Sequence, residues 1–302
     1  MLHYDDSRQL TFWPRTSAPP GGATHDATTA FLGARRIRPK TREHYAHTFR
    51  LLPPALPQSP LELETILARQ RVSAATADGY YRDLRCFYRW AARRLGVADA
   101  AADLTRPHLL PTLPHVLTHE QVIALLRGCD RRERALISFA LDTGARLGEI
   151  AAIRRHDITQ QAATDGTIQH LVRLPAAKTG TRIVPLSRHA AALLTGIGNA
   201  EHLWISVYNN RAPGGAPLTP NAIQQLIRRA TKRTLGVEFG PHALRHTFAT
   251  MYLRAGGDVE SLRRILGHAD VSTTVIYLHL VADDLSRKHA LYSPIALQER
   301  TA

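Results

Sequence analysis

Cysteine is almost missing from this chain. Cys86 and Cys129 are too few and too far apart for a disulfide framework or a zinc knuckle, and their scarcity fits a reducing cytosol. The first 24 residues have no apolar core segment of the kind a signal peptide or membrane anchor needs, and hold Pro14, Pro19, Pro20, Gly21 and Gly22 instead, so residues 1–24 are predicted to be disordered. There is no internal repeat, no glycine-rich phosphate loop of the P-loop type and no convincing carboxylate cluster, so neither a metal nor a cofactor is predicted. Acidic residues are also short, with 25 Asp and Glu against 39 Lys and Arg, a formal charge of +14 that no acidic tail offsets. A polyanion is the natural partner of such a chain. Before Leu110 the balance is 16 basic to 10 acidic residues and from there on 23 to 15, so both halves are basic, as suits a clamp on a duplex. Lysine is scarce within that basic set: only Lys40, Lys178, Lys232 and Lys288 stand beside 35 arginines.

What is present reads as a mainly α protein with a small antiparallel β-sheet. At 302 residues and 44% hydrophobic content, the chain has enough apolar material for two cores, and two domains are expected. In the first, Thr41 precedes a helix with Tyr45, Phe49 and Leu52 on one face, and Ser59-Pro60 is a favoured cap and first-turn pair. A longer helix starts at Ser73, repeats Ala77, Tyr81, Leu84, Tyr88, Ala91 and Leu95 at helical spacing, and stops at Gly96. Residues 25–102 thus form a helical domain, and DLTRPHLLPTLP at 103–114, with three prolines and little periodicity, forms a linker. Thr118 and Gln121 have the spacing of a capping box and open the second domain, 115–302. An apolar helix covers 134–141, helical spacing resumes from Arg146 to Ile153 after a break at Gly144, and strands at 167–174 and 181–186 flank a turn at Lys178-Thr179-Gly180. From Asn221 on, helices return, punctuated by Gly236, Gly256-Gly257 and Gly267.

Four segments carry the chemistry: TGARLGEI at 143–150, AAKTGTRIVPL at 176–186, PHALRHTFAT at 241–250 and LGHADVSTTVIYLHL at 266–280. Arg146 follows a glycine-containing turn at a helix start, with Glu149 one turn on. His242 and Arg245 are three apart on a helix that begins just after Pro241, so both project toward one site. His268 follows Gly267, the predicted stop of the helix carrying Val259, Leu262 and Ile265, and Tyr277 lies nine residues further. His246 and His279 are read as structural. Lys178 is the informative lysine, because a general acid must release its proton and guanidinium does not.

In order, spacing and context, these segments resemble the catalytic domain of the tyrosine recombinases, or phage integrases, across roughly the last two thirds of the chain. The helical first half is similar, more loosely, to that family's SAM-like core-binding domain. The resemblance implies that Arg146 and Arg245 hold the scissile phosphate and that His242 binds it or takes a proton from the tyrosine. It implies further that His268 donates to a nonbridging oxygen, that Lys178 protonates the leaving 5′ oxygen, and that Tyr277 is the nucleophile. Glu149 is expected to orient Arg146. A free phenol with pKa near 10 is only about one part in a thousand ionised at neutral pH, and the cations around Tyr277 are expected to favour tyrosinate.

The implied reaction is cleavage and rejoining of DNA through a 3′-phosphotyrosyl intermediate, without metal or ATP. The implied partners are double-stranded DNA with two recombination sites and a homotetramer, assembled through the helix expected after Tyr277. A cytoplasmic, nucleoid-associated protein is expected. With no room seen for a large arm-binding domain ahead of the first helix, the reading leans to a Xer-like or small integrase. Two alternatives remain at this point: a type IB topoisomerase that relaxes DNA with a similar residue set, and a DNA-binding accessory protein without catalysis.

Overall fold

The computed structural model describes residues 24–34, 37–109, 115–175, 180–195, 197, 201–206, 215–268, 274 and 277. Residues 1–23, the end of the expected linker at 110–114, Lys178 with its turn neighbours 176–179, and the segment after Tyr277 that includes His279 lie outside them. The chain divides into two compact units, 1–112 and 113–302. As expected, it is mainly α with one small antiparallel sheet. No helix among the described residues is long and apolar enough to cross a membrane.

The first unit holds α1 (Thr24–Gly33), α2 (Pro39–Phe49), α3 (Pro60–Ala68) and α4 (Ala74–Leu95). Ser59 and Ser73 cap α3 and α4 by accepting from Glu62 N and Thr76 N, and α4 ends at Gly96 in the left-handed conformation, φ 70°. The core is aromatic: Phe31 makes edge contacts with Tyr45, Phe49, Phe87 and Trp90. Buried polar links cross it from Thr48 Oγ1 to the Asp83 carboxylate at 2.6 Å and from Tyr88 Oη to Pro57 O at 3.0 Å. With one side of α4 spent on that core, its other side carries Arg82, Arg85, Arg89 and Arg93 at helical spacing, with Tyr81 and Trp90 along the same shallow groove.

The second unit opens with α5 (His119–Gly128), whose Thr118–Gln121 capping box forms as the sequence predicts, and α6 (Arg131–Thr143), boxed in the same way by Asp130 and Glu133. Then follow α7 (Leu147–Ala152), strands β1 (Ile158–Ala162), β2 (Ile168–Leu174) and β3 (Arg182–Leu186), and helices α8 (Arg188–Leu194), α9 (Pro220–Leu235), α10 (Pro241–Arg254) and α11 (Val259–Leu266). The expected hairpin is the β2–β3 pair, with Val172 opposite Val184, but the sheet has a third strand. β1 pairs antiparallel with β2, and its sequence ITQQA, exposed along most of its length, carries no apolar alternation to reveal it. Val172, Leu174, Val184 and Leu186 point into the core while Arg173, Ile183 and Pro185 between them face water, the period-two signature of a sheet covered on one face. α6 is the axis of this core: Ala135 to Ala140 are all buried, and the helix packs on α8, α9, α10 and β3.

Candidate active site

The site begins at the end of α6. Gly144 takes φ 59°, and a Cβ there would sit 2.5 Å from Phe248 Cδ1 and 2.8 Å from Leu266 Cδ2, so glycine alone fits both the backbone and the space. That turn buries Ala145 and makes Arg146 the N-cap residue of α7. Arg146 is fastened at both ends by Glu149, whose Oε2 accepts from its backbone N–H at 2.7 Å and whose Oε1 accepts from Nη1 at 3.2 Å. Glu149 is buried, and it also accepts a fork from Arg182 of β3, Nη1 at 2.6 Å and Nη2 at 2.9 Å. Burial alone would raise its carboxyl, yet hydrogen bonds and charge from Arg182 and Arg146 hold it below the usual carboxylate range.

The C-terminal end of α11 organises the rest. Asp258 starts this helix by accepting from Ser261 N, and Gly267 stops it at φ 63°. Its last carbonyls have no intrahelical donor and lie at the negative pole of the helix. Three successive ones each receive a different guanidinium: Ile265 O from Arg182 Nε at 2.6 Å, Leu266 O from Arg245 Nη2 at 2.8 Å, and Gly267 O from Arg146 Nη2 at 3.0 Å. Arg245, buried on α10, also donates Nη1 to Gly144 O at 2.6 Å, which ties the α6 turn to the α11 terminus.

Histidines and the tyrosine line this frame. Arg245 Nη2 lies 2.9 Å from His268 Nε2, and His268 Nδ1 lies 2.9 Å from Thr274 Oγ1. Guanidinium only donates, so Nε2 accepts, and the ring proton belongs on Nδ1 toward Thr274. Burial, then the charges of Arg245, Arg146 and Arg182, push the imidazole down to about 4, which agrees with a neutral ring. His268 therefore faces the site as an acceptor that braces Arg245, where the resemblance implied a donor. His242 sits on the exposed rim at the start of α10, lowered by partial burial of its ring and by Arg245 and Arg146.

Tyr277 is buried, with its Oη 2.9 Å from His246 Nδ1 and the two rings 5.6 Å apart. The expectation that surrounding cations favour tyrosinate is corrected here. Arg245 and Arg146 do pull the phenol down, but desolvation outweighs them and the net shift is upward.

The structure thus brings Arg146, Glu149, Arg245, His268 and Tyr277 together and leaves His242 at the rim, while Lys178, which falls in sequence between Leu174 of β2 and Arg182 of β3, lies outside the described residues. Sequence reasoning missed Arg182, Thr274 and His246. For Arg182 and Thr274 no local signal exists. His246 had one, since it stands four residues after His242 and so shares its helical face.

Two outcomes follow. Glu149→Gln removes the buried counter-charge of Arg182 and Arg146, and should lower unfolding stability of the chain by about 3–5 kcal/mol in urea titration. His268 contributes stability fully above its ordinary value of 6.5 and loses that contribution as pH falls toward about 4, because the unfolded ring takes up a proton that the folded ring refuses. The melting temperature should therefore drop between pH 7 and pH 5, and drop less in His268→Gln.

Known proteins can now be set beside this geometry. The profile of the phage integrase family matches residues 115–283, more than half of the chain. Tyrosine recombinase XerC of Xanthomonas axonopodis pv. citri is 30% identical over 247 residues, spanning 78% of this chain and 77% of that protein. Tyrosine recombinase XerD of Ralstonia nicotianae is 31% identical over 241 residues, 73% of this chain and 74% of its own. Among solved structures, XerH site-specific recombinase in a post-cleavage complex with palindromic difH substrate has a TM-score of 0.68 at 18% identity, covering 89% of this chain and 85% of that one. A lambda integrase tetramer bound to a Holliday junction has a TM-score of 0.70 at 19% identity, covering 86% and 78%. The two structures share the fold, and the family profile and the XerC and XerD relatives place the chain itself: it belongs to the phage integrase family and is a site-specific tyrosine recombinase, an enzyme that transfers DNA strands.

Proposed function

We propose that Tyr277 is the nucleophile of this recombinase, that Arg146 and Arg245 grip the scissile phosphate, and that Lys178 protonates the departing 5′ oxygen. The observation that carries this reading is the convergence of the Tyr277 phenol with Arg146 and Arg245, close enough for both charges to bear on its proton. Attack on a phosphodiester gathers negative charge on the nonbridging oxygens, and donors fixed in advance stabilise that charge best. The carbonyls of α11 and Gly144 fix them here, and they leave donors over. Of the five N–H groups of a guanidinium, Arg146 uses two in these contacts and Arg245 three. His242, on the rim, serves the phosphate. Glu149 and His268 are positioning residues, Glu149 for Arg146 and His268 for Arg245.

In this scheme Tyr277 Oη bonds to phosphorus, the 5′ hydroxyl leaves, and the 3′-phosphotyrosyl bond conserves the energy until a partner strand's 5′ hydroxyl attacks it. No ATP or metal enters. Two recombination sites and a homotetramer are the assembly, with residues 278–302 supplying the contact between protomers, and the protein works in the cytoplasm on nucleoid DNA. The first unit grips the duplex backbone through the exposed Arg89 and Arg93 of α4, one turn apart.

On a nicked suicide substrate bearing its own site, the wild-type chain should accumulate a covalent protein–DNA adduct, and Tyr277→Phe should form none. Arg146→Ala should slow adduct formation by about 10²–10³-fold, the cost of one transition-state donor, while still binding the site. Absence of any adduct from the folded wild type would sink the nucleophile assignment. Separately, Arg89→Ala with Arg93→Ala should weaken binding to all duplex sequences alike and flatten the log–log salt dependence by about one for each lost phosphate contact.

A further inference from the structure

One base touches the nucleophilic oxygen. His242, Arg245 and His246 follow one another around the first turns of α10, yet among the described residues the side chain within hydrogen-bond distance of Tyr277 Oη is His246, through Nδ1 at 2.9 Å. The alternatives nearby are engaged or chemically unsuited. His268 spends Nε2 on Arg245 and Nδ1 on Thr274, and the arginines carry no lone pair with which to accept a proton. We propose that His246 is a catalytic residue of this recombinase, the proton acceptor for Tyr277 on cleavage and the proton donor to it on rejoining. This rests on the reading of Tyr277 as nucleophile.

The Oη–H bond of Tyr277 breaks and its proton passes to His246 Nδ1, while an oxygen lone pair forms the bond to phosphorus. The bond from phosphorus to the 5′ oxygen breaks, and that oxygen leaves with the electron pair and a proton from Lys178. On rejoining, a 5′ hydroxyl gives its proton to Lys178 as it attacks phosphorus, Oη leaves with its pair, and the proton returns to it from His246, so the imidazole and the lysine end each cycle as they began. The surroundings make this transfer depend on DNA. Partial burial of the ring, then His242 and Arg245 on the same helix, lower the basicity of His246 and favour its neutral form, which is the form that accepts. An imidazolium here is costly until an anion arrives. The scissile phosphate is that anion, so proton transfer becomes favourable where and when the substrate is seated. Burial meanwhile keeps Tyr277 protonated, which makes an acceptor necessary.

Single-turnover adduct formation on the suicide substrate tests this, with wild type, Tyr277→Phe, Lys178→Ala and His246→Asn compared. Asparagine keeps a hydrogen-bonding group near the Nδ1 position but cannot take the proton. His246→Asn should bind the site as wild type does and cleave it about 10²–10⁴-fold more slowly, the range for loss of a general base. A substrate with sulfur at the bridging 5′ position, whose thiolate leaves without a proton, should restore Lys178→Ala and not His246→Asn. Cleavage by His246→Asn within threefold of wild type, or its rescue by the sulfur substrate, overturns the proposal. Should that variant fail to fold or bind, the wild type on the sulfur substrate decides instead. With departure no longer in need of a proton, its rate should still rise with pH through one ionisation, and a flat profile overturns the proposal. A covalent adduct from Tyr277→Phe would defeat the nucleophile reading itself, an outcome distinct from either of these.

Discussion

Helix α11 is only eight residues long, and the carbonyls at its C-terminal end, which no amide of its own can satisfy, hold the catalytic unit's arginines where they are. Arg182, Arg245 and Arg146 come from a strand, a helix interior and a helix cap far apart in the chain, and each ends on a different one of three consecutive carbonyls. Like charges so close would repel, so the cluster needs acceptors on both sides. The helix terminus supplies one side and buried Glu149 the other. Remove either and the remaining charges have nowhere favourable to sit. The glycine stops at 144 and 267 are the backbone conditions for this arrangement, since Gly144 O receives Arg245 and Gly267 O receives Arg146.

The same interaction links the arginine cluster to Tyr277. Arg245 dictates the tautomer of His268, and that tautomer directs a proton at Thr274, three residues before Tyr277. From the other side His246, the neighbour of Arg245 on α10, reaches the phenol. The residues that would hold the phosphate and the residue that would attack it are thus neighbours along the same two chain segments, and burial keeps the phenol protonated beside permanent cations.

Much of this was legible in the sequence because the groups concerned lie in short local patterns. Arg146, His242, Arg245, His268 and Tyr277 sit beside glycine stops, caps and helical spacings that fix their direction within a few residues. Thr118, Ser59 and Ser73 announced their helices for the same reason. What was hidden depends on long-range pairing. Arg182 is one arginine among 35, and its value comes from Glu149, 33 positions earlier, which only the packing of β3 reveals. β1 escaped notice because a polar strand carries no alternation. The direction of the Tyr277 shift required knowing how deeply the ring is buried, a quantity that the nearby charges alone do not supply. His246 was passed over because a histidine next to Arg245 has an ordinary packing explanation; its partner is 31 residues on.

The charge of the frame can be counted. Arg146, Arg182 and Arg245 contribute three positive charges and Glu149 one negative, and with His268, His246 and His242 all shifted toward their neutral forms the fixed total among the described residues is +2. A bound phosphodiester, with one negative charge, leaves the pocket at +1. On the reading proposed above, the crowded phosphorus centre formed as Tyr277 attacks carries a second negative charge, matched by the proton that His246 takes, so the total is unchanged while charge separates within the pocket. Donors fixed around the phosphorus centre stabilise its doubly charged form more than the singly charged substrate, so the arginines favour the transition state over the bound substrate, and that difference is what accelerates a reaction.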